Sequence, residues 1–131
     1  LGSASTIDLS LADYSFIGEN PYDLSGILVS SAGDVDGDGL DDILIGARDN
    51  SDGGSDAGKS YLILGSSLGG ASTIDLSLAD YSFIGENSDD YAGFSVSSAG
   101  DVDGDGLDDV LVGAHGFGRY DGKVALFSAC E

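Results

Sequence analysis

Short apolar runs alternate along the chain with glycine and acidic residues, and none shows the spacing of a helix with one buried stripe. The clearest are Ile43, Leu44 and Ile45 before Gly46, and Val110, Leu111 and Val112 before Gly113. Each is three residues long, rich in β-branched side chains and bounded by turn formers, the pattern of a buried strand. Reading the rest in the same way predicts strands over 14–18, 26–32, 42–47 and 59–64. A second set follows over 81–85, 93–99, 109–114 and 122–127.

The two sets are copies. Residues 4–20 recur letter for letter at 71–87, a period of 67 residues from Ala4 to Ala71, and 34–42 recurs unchanged at 101–109. A long period built from short strands and Gly-rich turns points to stacked or radial β units, and four strands per repeat make one propeller blade. The expected fold is all-β, with two four-stranded antiparallel blades over domains 1–67 and 68–131.

The duplicated nonapeptide carries the chemistry. Asp34, Asp36 and Asp38 place three hard carboxylates at alternate positions, while Gly37 and Gly39 let the backbone turn tightly enough for them to converge. Asp42 closes the cage, and the main-chain carbonyl of Leu40 stands at the natural next position. Asp101, Asp103, Asp105, the Leu107 carbonyl and Asp109 take the same roles in the second copy. A cation accepting six to eight oxygens fits this donor set, so the expected metal is calcium, two ions in all; magnesium demands a tighter octahedron and keeps more water. An EF-hand loop needs an acidic ligand at position twelve followed by a helix, whereas here that position holds Ile45 or Val112 inside a strand.

With Gly93-Phe94 ahead of the second loop and Gly113-Ala114 after the next strand, matched by Ser25-Gly26-Ile27 and Gly46-Ala47, the chain resembles the FG-GAP repeat. That repeat is the blade unit of the integrin alpha-subunit β-propeller and of many bacterial surface and secreted proteins. Ile27 replaces the aromatic residue, and Arg48 and His115 stand where the family often has proline. The resemblance implies an acidic calcium loop in the hairpin between the first two strands of each blade, and an adhesive or structural setting outside the cytoplasm.

Charge agrees with that setting. Twenty-four acidic residues against four basic ones give a formal net charge of -20, which disfavours nucleic acid and anionic membrane surfaces. No apolar run approaches the roughly 18 residues needed to span a bilayer, so no membrane insertion is expected. Without a cation the clustered carboxylates repel, and metal binding should act as folding energy. The scattered Asp8, Asp13, Asp75 and Asp80 read as solubilising charge. The chain lacks methionine, a signal segment and a sorting motif, as a processed or excised piece would. Cys130, the one cysteine, cannot form an internal disulfide and leaves only an intermolecular bridge.

The phase of the repeat bears on partners. The chain opens with a segment of fourth-strand type at 14–18 and closes after a third strand at 124–127, so each end lacks what the other carries. Two blades cannot close a ring, and their open edges and apolar faces invite a second copy. A head-to-tail contact is heterologous, so it makes a ring if the rotation closes, with three or four chains giving six or eight blades, and otherwise a filament. A two-repeat segment of a longer array is the other reading.

An enzyme is not expected. His115 has no counterpart in the first copy and no Gly-x-Ser-x-Gly motif to serve, and no phosphate-cradling loop with a following lysine is present. The remaining alternatives are a carbohydrate- or protein-binding propeller domain and a non-catalytic part of a secreted enzyme. Binding specificity would lie where the repeats differ, above all in the shorter connection 115–122, with Phe117, Arg119 and Tyr120 able to stack on a sugar or grip a carboxylate.

Overall fold

The computed structural model describes residues 2–3 and 5–130, and among them nine strands form three sheets. β1 (Ser15–Ile17) and β5 (Thr73–Asp75) make a short parallel pair. β2 (Leu28–Gly33), β3 (Asp42–Ala47), β4 (Lys59–Ile63) and β6 (Tyr81–Ile84) form an antiparallel meander in the order β2-β3-β4-β6. β7 (Ala92–Gly100), β8 (Asp109–Ala114) and β9 (Lys123–Phe127) form a second, β7-β8-β9. The class is all-β, as the apolar pattern predicts.

Strand count differs from the expectation in the second blade, which has three strands among the described residues rather than four. The first blade takes its fourth strand, β6, from the start of the second sequence repeat, so sheet and repeat are out of phase by one strand. The strand that repeats β6 is β1, and it joins neither blade. β5 and the 3-10 turns Leu9–Leu11 and Leu76–Leu78 are too short to leave a period in the sequence.

Alternation along β3 decides how the blades stack. Leu44 points one way, with Ala32, Val35 and Leu62, into a core shared with Ala92, Val96, Val110 and Val112 of the second blade. Ile45 and Ala47 point the other way, with Tyr61 and Ile63, and are covered by Leu76 and by Phe16 of β1. Period-two alternation in a strand buried on both faces except at Ile43 therefore serves two cores. The blades approach closely at Gly46, where a Cβ would run into the Gly93 carbonyl.

Lys59 is buried at the end of β4 and pairs with Glu19 at 2.6 Å and Asp52 at 2.8 Å. Burial alone would lower its pKa, but these two partners outweigh it and hold the ammonium above the ordinary lysine value. Its counterpart Lys123 is exposed and pairs with Glu86.

Candidate metal centre

Each acidic loop lies in the hairpin between the first two strands of its blade, between β2 and β3 or between β7 and β8. A register shift opens the hairpin at Gly33, and at Gly100 in the second copy. Within the loop Gly37 and Gly39 have φ of 77° and 88°, a left-handed backbone that glycine adopts without steric cost. That winding turns a row of amides inward. Asp34 Oδ1 accepts from the N–H of Gly37 at 2.8 Å and of Asp38 at 3.1 Å, and its Oδ2 accepts from Gly39 at 2.9 Å. Asp101 accepts in the same way from Gly104, Asp105 and Gly106.

Asp42 is buried at the start of β3. Its Oδ2 accepts from the Val35 N–H and its Oδ1 from the Gly65 N–H, both at 2.8 Å. Burial raises its pKa above the ordinary value; the amides of Gly65 and Val35 oppose that shift, and Asp36 and Asp34 add to it. Asp109, also buried, accepts from Val102 and Ala129 at 2.9 Å each.

Three carboxylates converge in each loop. Asp34, Asp36 and Asp42 each offer an oxygen within 4.8 Å of the others, and so do Asp101, Asp103 and Asp109. At an effective dielectric of about 20, a charge pair at such a distance repels by roughly 3 kcal/mol, less where water screens the exposed Asp36 and Asp103. A multivalent cation removes that cost. Asp38 and Asp105 stand outside these groups, each accepting through Oδ1 from the N–H of Leu40 at 2.8 Å or Leu107 at 2.9 Å. Hard oxygen donors suit calcium, magnesium or manganese better than softer metals.

The loops also touch. Asp108 Oδ2 accepts from the Asp34 N–H at 3.0 Å, and the Asp34 carbonyl accepts from the Asp108 N–H at 3.0 Å. Leu107 lies over the first loop, where a Cβ on Gly37 would stand 2.8 Å from its Cδ2. The second loop thus clamps the backbone of Asp34 in the first. Asp108 leaves no signal in the sequence because its contact depends on which loop lies opposite; its copy, Asp41, is exposed and makes no such contact among the described residues.

Of the other candidates, His115 and Phe117 are engaged in packing. His115 stacks on Tyr91 at 5.1 Å and lies 4.2 Å from the Phe94 ring, centroid to centroid. The connection forms a single turn, Phe117–Tyr120, in which Phe117 is half-buried beneath the Lys123 ammonium and Arg119 and Tyr120 are exposed. Asp8 and Asp75 cap the two 3-10 turns through the amides of Ser10 and Ser77, and these contacts lower both pKa values. Asp80 accepts from the Leu64 N–H and the Ser67 hydroxyl. These three aspartates therefore build turns, where the sequence suggested only solubilising charge.

Among the described residues no helix is long and apolar enough to cross a membrane. The family model for the FG-GAP repeat matches residues 28–63 and 92–127, together more than half of the chain. Integrin alpha-PS2 of Drosophila melanogaster is 40% identical over 94 residues, which cover 68% of this chain and 6% of that protein. The chain spans only a small part of this relative. With both matched windows running from the first to the third strand of a blade, each around one acidic loop, the chain belongs to the FG-GAP repeat family as two tandem repeats.

Proposed function

We propose that this chain is a calcium-stabilised, non-enzymatic structural and adhesion module of the extracellular space or cell surface, built to associate head-to-tail with copies of itself. The observation that carries the calcium reading is the duplicated geometry: two loops, each with three carboxylates within 4.8 Å and backbone amides holding the first and last of them in place. Asp34, Asp36 and Asp42 hold one ion, and Asp101, Asp103 and Asp109 the other. Asp38 and Asp105, with the Leu40 and Leu107 carbonyls, complete the shells on small rearrangements of the loop. The ion neutralises the clustered charge and ties the hairpin to the strand it opens, so its role is structural.

The adhesive setting follows from the family and from the integrin alpha relative. The edges that β1 and β9 leave open among the described residues support the head-to-tail reading. Isothermal titration of the metal-free chain should find two calcium ions, reduced to one by Asp36→Asn or by Asp103→Asn. No heat and no rise in Tm up to about 10 mM calcium would refute the assignment. A second reading, recognition of a glycan or protein ligand, is favoured by exposed Tyr120 on the turn that differs most between repeats. Glycan-array binding abolished by Tyr120→Ala would support it.

A further inference from the structure

Three consecutive residues at the end of the second loop serve both loops. The Leu107 side chain lies over Gly37, Asp108 bonds in both directions with the main chain of Asp34, and the Asp109 carboxylate belongs to the second acidic cluster. Asp34 in turn belongs to the first cluster, and its carboxylate holds the amides of Gly37, Asp38 and Gly39. A carboxylate-bearing residue of one cluster is thus bonded to the direct chain neighbour of a carboxylate in the other.

The approach is close enough to require glycine. A Cβ on Gly33 would run into the Asp108 carboxylate, whereas its copy Gly100 has nothing within 4 Å. Asp34 and Asp108 each donate one hydrogen bond to the other at 3.0 Å, so the bridge exists only while both segments are held in place. Both halves of the contact lie between the two repeats, in residues the structure describes.

We infer that the two loops bind calcium cooperatively through this bridge, each filled loop raising the affinity of the other about tenfold, the coupling that two net hydrogen bonds supply. The inference rests on the calcium reading. Without metal the carboxylates of each cluster repel and loosen the loop that carries them. Ordering either loop fixes its half of the bridge, so the other loop loses less conformational entropy when it is ordered in turn. Linkage makes the effect equal in both directions. Charge opposes it, because filling one loop weakens the negative field that draws a cation to the other. At 150 mM salt that field is screened over about 8 Å, while the hydrogen bonds are not.

The test is calorimetric titration with calcium of the native chain, Asp36→Asn and Asp103→Asn in 150 mM salt. The product of the two native binding constants should exceed the product of the two single-loop constants about tenfold. Repeated on an Asp108→Ala background, the excess should fall to about threefold, one of the two bonds being lost. Asp108→Asn, which keeps an acceptor for the Asp34 N–H, should preserve it, and Asp41→Ala should leave it unchanged. Amide hydrogen exchange reads the bridge directly: in Asp36→Asn, calcium at the second loop alone should slow exchange of the Asp34 N–H at least fivefold. A ratio near or below one, or an Asp34 amide indifferent to calcium there, would overturn the coupling and leave two independent sites standing. No binding to either loop would overturn the calcium reading and the coupling with it.

Discussion

The two repeats share their loops and most of their strands, yet the same residue lives in different surroundings in each. Val96 is 6% exposed and its copy Val29 62%; Leu107 is 8% exposed and its copy Leu40 50%. The direction reverses on the opposite face, where Val35 is buried and its copy Val102 open. Every one of these differences has one source. The interface between the blades is made once, and its two halves are left unmade at the two ends of the pair. Composition alone could not show this, because burial here is decided by neighbours and not by the residue.

The comparison is sharpest at Leu107 and Leu40. Leu107→Ala removes a side chain packed between the loops and should cost about 3 kcal/mol in chemical denaturation of the monomer, whereas Leu40→Ala should cost under about 0.5 kcal/mol. Equal losses would mean that the blades do not meet as described.

Next come the paired lysines. Lys59→Ala strands Glu19 and Asp52 against a buried site and should cost about 2 kcal/mol, while Lys123→Ala, on the surface, should cost about 0 to 0.5 kcal/mol. Because the folded pKa of Lys59 is raised, its contribution is fully present below the ordinary lysine value of 10.5 and is lost as pH rises through the higher folded value. Alkaline titration of stability should therefore fall more steeply above that point in the native chain than in Lys59→Met.

A smaller contrast lies in the aspartate clamp. Asp108→Ala leaves the Asp34 N–H without its acceptor and should cost about 1 kcal/mol; Asp41→Ala should cost nothing measurable in the monomer. The smallest expected effect is in metal affinity. Asp34 is clamped and Asp101 is not, so the first loop should bind calcium about fivefold more tightly, the equivalent of one net hydrogen bond. Titrations of Asp36→Asn and Asp103→Asn, each reporting the remaining loop, measure the ratio directly.

Much of this architecture was legible in the chain. β3 and β8 begin and end where the sequence predicts, at Asp42 and Ala47 and at Asp109 and Ala114, because a buried carboxylate opens each strand and a turn closes it. The loops were legible because aspartates alternating with glycines at fixed spacing make a tight turn that gathers carboxylates, as Asp34, Asp36 and Asp42 are gathered. The phase was legible too, since 14–18 repeats the first blade's fourth strand. What escaped was set by contacts between elements. The turn-building roles of Asp8, Asp75 and Asp80 and the clamp from Asp108 all depend on what lies opposite. Asp38 and Asp105 share the spacing of the other carboxylates, but their side chains turn to the nearest amide.

Net charge works against association, since two copies at -20 repel until salt screens them or calcium neutralises the loops. The measurement that tests the central claim most directly is therefore solution mass by light scattering, taken over a range of protein concentrations in millimolar calcium and again after chelation. An interface made once and open at both ends predicts whole-number multiples of the 13.1 kDa chain with calcium, returning to one chain when the metal is removed. A single chain at every concentration in calcium, with no change on chelation, would contradict it.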